Sequence, residues 1–251
     1  MRLDKYLMPQ FGSRNKAAAA IERGAVRVNG VAKSPSYEVK EGDDVQILHE
    51  ETTFVSAGGY KLAKALADFS YDVRGKVFAD VGASTGGFTD CLFKAGASKV
   101  YCIDVGESQL DKSLLEKNVV VIDGFNARGL TKQMFSEELD GITIDVSFIS
   151  LTYILDGVSA ALGEGKCVLA LIKPQFECES RNVGKNGIVR GADKHKSILK
   201  KIYDYSISCN LAPIKLTCAP ERKGKNTEYI AMLVKGGKAV PFNTLISGVK
   251  L

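Results

Sequence analysis

Four charged side chains in this 251-residue sequence stand where packing alone would not place charge. Lys61 follows the tight segment Ser56-Ala57-Gly58-Gly59-Tyr60, and Asp145 ends the apolar run GITI. Lys173 ends VLALI just ahead of Pro174, and Glu228 opens the run TEYIAMLV. Two amines and two carboxylates suit removal of a proton from a very weak acid, such as a sugar hydroxyl, while an electrophile arrives. A lysine acts as a base only when neutral, and its reference pKa of about 10.4 is too high for that. A neighbouring lysine and partial burial push the value down, while carboxylates orient the amines and balance the charge.

A second signal is FADVGASTGGFTD, an apolar strand running through Asp80, Gly82, Ala83, Ser84, Thr85, Gly86, Gly87 and Phe88 into an apolar helix. Glycines there allow a sharp turn and close approach of a ligand to the backbone. The next strand, KVYCID, ends in Asp104, an acid placed to accept hydrogen bonds from both ribose hydroxyls of a nucleoside. The loop reads D-x-G-x-x-x-G rather than G-x-G-x-x-G. A pyrophosphate prefers an all-backbone cradle, whereas a cationic methionine moiety tolerates nearby carboxylates, so S-adenosylmethionine is favoured over a nicotinamide dinucleotide. Asp123, following NVVVI, resembles in its position the residue with which S-adenosylmethionine-dependent methyltransferases often hold the adenine amino group, a resemblance that adds it to the expected cofactor site.

These residues need a scaffold, and the chain supplies a regular one. KVFADVG, KVYCIDV, NVVVID, DGITIDVSF and KCVLALIK read as buried strands ending in a polar residue or glycine. GGFTDCLFKAG, LTYILDGVSAAL and DKHKSILKKIYDYSISC read as the helices between them. Such alternation predicts an α/β fold with a mostly parallel sheet covered on both faces. PIKLTCAP and TEYIAMLVK make seven strands in all. The carboxyl ends of strands in such a sheet are where ligands bind.

The first fifty residues have a different character. RLDKYL has helical spacing, and SRNKAAAAIERG opens with Ser13 as a cap and closes on Gly24. AVRVNGVA carries the tight-hairpin signal Asn29-Gly30, and YEVKEGDDVQIL reads as strand, turn, strand. The expected organisation is a small α+β domain over 1–50, a linker over 51–59 and an α/β domain over 60–240.

Composition excludes several classes. Hydrophobic content of 45% and charged content of 25% are globular values. No apolar run approaches the ~20 residues that cross a bilayer, and the N-terminus has charges where a signal peptide needs an apolar core, so a cytoplasmic protein is expected. Six cysteines without a C-x-x-C pair and only two histidines, His49 and His195, offer no metal cluster. Charge is uneven: residues 1–36 hold seven Lys/Arg against two acids, and residues 181–225 eleven against three. Two basic regions suit a nucleic-acid partner.

The run from RLDKYL through EGDDVQI resembles the RNA-binding module named after small-subunit ribosomal protein S-four. That resemblance implies that Arg2, Lys5, Arg14, Lys16 and Arg23 face RNA phosphates, an electrostatic footprint that needs no base readout. The Lys-Asp-Lys-Glu order resembles ribose 2′-O-methyltransferases of the FtsJ/RrmJ type, and the whole chain, over roughly residues 2–235, resembles the TlyA (hemolysin A) family of ribosomal RNA methyltransferases. By that likeness Lys61, Asp145, Lys173 and Glu228 form a catalytic tetrad with Lys173 as base, Lys61 and Glu228 hold the ribose and tune the lysine, and the target is cytidine ribose in 16S and/or 23S ribosomal RNA. The fold implied is a Rossmann-like S-adenosylmethionine-dependent methyltransferase domain behind the S-four-type module.

Relatives commonly have Ser-Arg-Gly-Gly before the first tetrad lysine, whereas Ala57 stands here in place of the arginine. The polar segment PQFECESRNVGKNGIVRGADKHK reads as a loop over the pocket or against RNA, with Lys185, Arg190 and, further on, Lys225 available for phosphates. Two rival readings are a membrane-active hemolysin, for which the sequence offers no span, and an RNA-binding protein whose methyltransferase domain is inactive, against which the intact loop and tetrad argue.

Overall fold

The computed structural model describes residues 1–22, 24–47, 54–178, 184, 187–222 and 224–251. The chain divides into two compact units, Met1–Thr53 and Phe54–Leu251.

In the first unit, short helices α1 (Leu3–Tyr6) and α2 (Met8–Phe11) lead into α3 (Arg14–Glu22). Ser13 starts α3 as its type dictates, its Oγ accepting from the Lys16 N–H at 3.2 Å. Gly24, at φ 84°, ends it in the left-handed conformation that closes helices. Strands β1 (Val26–Val28) and β2 (Val45–Ile47) pair antiparallel. Asn29 and Gly30 both take positive φ and return the chain from Val28 to Val31, the tight turn expected of that dipeptide. The strand expected at Tyr37–Val39 is reduced to one isolated bridge, between Arg2 and Glu38. Its backbone groups are spent on the N-terminal residues instead: Tyr37 C=O accepts from Leu3 N at 2.7 Å, and Val39 N donates to Met1 C=O at 2.9 Å. Leu3, Leu7, Ala17, Ile21, Val26 and Val28 form the core.

The second unit opens with α4 (Ala57–Phe69), a helix that the Gly58-Gly59 pair conceals in the sequence, since glycine is a poor helix former. Its buried Leu62, Ala65, Leu66 and Phe69 recur at i, i+3, i+4 and i+7. There follow β3 (Val77–Val81), α5 (Gly87–Lys94), β4 (Lys99–Ile103), β5 (Val119–Ile122), β6 (Gly141–Ile144), α6 (Leu155–Ala161) and β7 (Cys167–Ile172). The chain continues through α7 (Pro174–Glu177), α8 (Ala192–Ser208), β8 (Leu211–Cys218), β9 (Tyr229–Lys235) and α9 (Phe242–Ile246). The seven strands lie in the order β5-β4-β3-β6-β7-β9-β8, with β9 antiparallel to both its neighbours and every other pairing parallel.

Alternation along the strands divides the apolar residues between two faces. Ala79, Val81, Ile142, Ile144, Val168 and Ala170 pack with α6 and α8, while Phe78, Val100, Leu169 and Leu171 pack with α4 and α5. The chain runs from β3 outward to β4 and β5, then crosses back to place β6 on the other side of β3. A crevice opens at that reversal beyond the strand ends, the place where sheets of this kind bind ligands.

Candidate active site

The four charged residues singled out in the sequence meet at one end of the sheet. Asp145 directly follows β6, Lys173 follows β7, Glu228 precedes β9, and Lys61 lies in the second turn of α4. Ile172 pairs with Tyr229 in antiparallel register, so Lys173 and Glu228, one step beyond, stand opposite each other. Helix α4 begins against the same place, since a Cβ on Gly58 would lie 3.4 Å from Asp145 Oδ2. Lys61 Nζ is 2.5 Å from Glu228 Oε2, and Lys173 Nζ is 2.6 Å from Asp145 Oδ1. The four side chains are 10–19% exposed, so the pairs are poorly screened. The Lys173–Asp145 contact is an ion pair outside hydrogen-bond angles, leaving Asp145 Oδ1 without a directed donor. The directed bond of Lys173 goes to Ser147, whose Oγ accepts from Nζ at 2.8 Å. Nothing in the order of residues distinguished Ser147; only the turn after β6 brings it there.

Two cavities adjoin this cluster and share Gly82, Ser84, Asp145 and Ser147 as wall. The larger, about 600 Å³, is also lined by Asp104, Val105, Phe125, Asn126 and Phe148. The smaller, about 170 Å³, is lined by Ser56, Gly58, Ala83, Thr85, Gly87, Phe88 and Lys173. Seven of the residues expected at the cofactor therefore line the crevice: Gly82, Ala83, Ser84, Thr85, Gly87, Phe88 and Asp104. Gly82 turns at φ 81°, and a Cβ there would sit 2.7 Å from the Asp145 carbonyl oxygen. Asp104 accepts from the backbone N–H groups of Ser84 and Gly106, each at 2.8 Å, which fixes the carboxylate at the wall with lone pairs to spare.

Three expected cofactor residues are placed differently. Gly86 caps α5 at φ 89° with Leu110 and Leu114 packed over it. Asp123 is exposed and accepts from Ser108 N at 2.8 Å, outside the linings of both cavities. Asp80 is wholly buried behind the glycine loop, its two oxygens accepting from Thr89 Oγ1 at 2.7 Å and Thr143 Oγ1 at 2.9 Å. Burial pushes its carboxyl up to about 6, although both threonines pull the other way. The crevice fits S-adenosylmethionine: a fixed carboxylate for ribose hydroxyls, a loop admitting close approach, and Asp145 for a cationic centre.

Phe148 is 91% exposed at the rim of the larger cavity, holds φ at 65°, and packs its ring 5.0 Å from that of Phe176. A bulky residue in the left-handed region is strained and marks a place to look for function. Of the residues expected at RNA, Arg2 and Arg14 share one carboxylate, their guanidinium groups lying 2.8 Å and 3.1 Å from Asp4 Oδ2. The Arg2 hydrogen bond holds the buried Asp4 carboxyl below its ordinary value, and Arg14 adds to it. Lys5, Lys16, Arg190 and Lys225 are exposed, while Arg23 and Lys185 lie outside the described residues. Arg190 follows an anchored residue: Val189 N donates to Asn226 Oδ1 at 2.8 Å, and Val189 C=O accepts from His195 Nε2 at 3.1 Å.

Comparison with known proteins accords with this geometry. The FtsJ-like methyltransferase family matches residues 54–235, and the S4 domain matches residues 1–45. Hemolysin A of Brachyspira hyodysenteriae is 40% identical over 240 residues, covering 93% of this chain and 100% of its own. The 16S/23S rRNA (cytidine-2′-O)-methyltransferase TlyA of Mycobacterium tuberculosis is 39% identical over 180 residues, 70% of this chain and 67% of its own. A solved hemolysin-type structure from Streptococcus thermophilus, 34% identical, covers 98% of this chain and 94% of its own with a TM-score of 0.76. The glycine loop lies at the sheet reversal with a crevice of about 600 Å³ and two lysine–carboxylate pairs beside it, and the chain belongs to the FtsJ-like methyltransferase family, with an S4 domain at its N-terminal end.

Proposed function

We propose that this methyltransferase uses S-adenosylmethionine to methylate a ribose 2′-hydroxyl in ribosomal RNA, with cytidine as the acceptor nucleoside. The observation that carries the reading is the opposition of Lys173 and Glu228 across β7 and β9, with Lys61 and Asp145 paired to them beside the crevice. The name of the Mycobacterium tuberculosis relative supports the cytidine 2′-oxygen as target. The cofactor supplies a methyl group already activated on its sulfonium, so positioning and deprotonation are the protein's tasks.

Lys173 takes the proton of the 2′-hydroxyl as that oxygen accepts the methyl group the cofactor would supply. Asp145 and Ser147 aim its nitrogen, and Asp145 balances the charge it gains. Lys61 and Glu228, held to each other, bind and orient the ribose. Phe148 and Phe176 offer an exposed aromatic face at the rim on which a base can stack. The S4 domain grips the RNA by phosphate contacts from Arg2, Lys5, Arg14 and Lys16, and Arg190 and Lys225 add contacts from the second unit. A membrane-active role finds no support in the helices, since among the described residues none is long and apolar enough to cross a membrane.

The test is transfer of labelled methyl from S-adenosylmethionine to isolated ribosomal subunits and naked ribosomal RNA, with Lys173→Ala as control. The expected result is label in an alkali-resistant dinucleotide, reduced about 100-fold or more in the variant. Cofactor binding without label in any RNA, or near-normal turnover by Lys173→Ala, overturns the reading.

A further inference from the structure

Besides the tetrad and Asp80, a buried carboxylate near this end of the sheet has no role in the chemistry above. Glu177 closes α7 and is only 5% exposed. Its Oε1 accepts from Leu151 N at 2.8 Å and its Oε2 from Ser150 Oγ at 2.5 Å. Lys201 Nζ, the cation paired with it, stands 3.6 Å away and sends its hydrogen bond to the Glu177 carbonyl instead. A buried carboxylate is tolerated where it is hydrogen-bonded, and both oxygens of this one are committed to a single short segment.

What it holds is the chain that leaves β6. Residues 145–151 and 173–177 are laced in three places: Lys173 to Asp145 and Ser147, Phe176 to Phe148, and Glu177 to Ser150 and Leu151. The first lacing is the catalytic pair itself. The second leaves Phe148 in a left-handed conformation that a free loop would relax. Glu177, four residues beyond Lys173, holds the far end of that segment at Ser150, three residues beyond Ser147.

We propose that Glu177 is a positioning residue for methyl transfer, clamping the segment that presents Asp145, Ser147 and Phe148 so that Lys173 meets the substrate hydroxyl in a reactive geometry. This rests on the reading of Lys173 as the base. A displacement of about 1 Å in a catalytic group can cost on the order of 100-fold in rate, so the effect falls mainly on turnover and less on the cofactor, whose crevice Asp145 and Ser147 also wall.

Glu177→Gln keeps the shape but removes the charge, and Ser150→Ala removes one anchor without disturbing Glu177 itself. Thermal midpoint, cofactor Kd and methylation kcat and KM on ribosomal subunits are measured for both variants and their combination, well below the lowest midpoint. We expect kcat to fall roughly 10- to 100-fold in Glu177→Gln and less in Ser150→Ala, with cofactor Kd weakened by a clearly smaller factor than kcat in each. The double variant should be no slower than Glu177→Gln, since both act through one contact. Unchanged kcat per folded molecule, or a cofactor Kd that weakens in step with kcat, overturns the proposal and leaves Glu177 a structural cap. If Glu177→Gln fails to fold, kcat of Ser150→Ala decides alone in the same way. Lys173→Ala run alongside separates the two ideas: if it keeps its turnover the base assignment is wrong, and if it loses turnover while the clamp variants keep theirs, only the clamp is wrong.

Discussion

Replacement of Asp80 by asparagine should make the protein less sensitive to pH, and the size of the change follows from the structure. The Asp80 carboxyl is fully buried, meets two threonine hydroxyls and the Thr89 backbone N–H, and is pushed by burial, with the Asp145 charge adding to it, from 3.8 to about 6. In the unfolded chain it titrates at its ordinary value, near 3.8. Between those values the folded state holds a proton that the unfolded state has lost, so stability from this group is greatest below pH 4 and is lost as pH rises to about 6. The whole loss is 6 − 3.8, or 2.2 pKa units, equivalent to about 3 kcal/mol at 1.36 kcal/mol per unit. About 2 kcal/mol of it falls between pH 4.5 and 7. Asp80→Asn cannot titrate and gives up the equivalent of one hydrogen bond, about 1 kcal/mol at every pH. The assay is urea unfolding of both proteins at constant ionic strength across that range, reading the difference between them so that all other groups cancel. The stability of Asp80→Asn relative to the parent should rise by about 2 kcal/mol from pH 4.5 to 7. A constant difference, or one of opposite sign, would refute the argument that this carboxyl is ionised at a cost.

Two further substitutions probe the cofactor loop and the RNA-facing unit. Gly82→Ala would drive a Cβ to 2.7 Å from the Asp145 carbonyl at φ 81°; calorimetry should show about 1–3 kcal/mol of destabilisation and cofactor binding weakened by about 10-fold or more, and full affinity would show that the loop relaxes freely. Arg14→Ala removes one of the two guanidinium groups held by Asp4, so the slope of log affinity for RNA against log salt should shrink by about 1; an unchanged slope would take Arg14 out of the interface.

Much of this molecule is written locally. The alternation of apolar strands and helices, the glycine loop after β3, Ser13 at the start of α3 and the Asn29-Gly30 turn all depend on residues two to four positions apart, so the sequence alone determines them. It also identifies Lys61, Asp145, Lys173 and Glu228 as charges at strand and helix ends, because each interrupts an apolar run or follows a tight glycine segment. Which of them pair is not local. Lys61 finds Glu228, and Lys173 comes to face it, only because β9 enters antiparallel beside β7 in one register, and register depends on burying the correct face of each strand. The same limit hides α4 behind two glycines, diverts Tyr37–Val39 from strand to a partnership with the N-terminus, and turns Asp80 away from the crevice toward Thr89 and Thr143. Local chemistry determines which groups are available; tertiary packing decides which surface each group faces, because alternation and register assign residues to faces only after the sheet has formed.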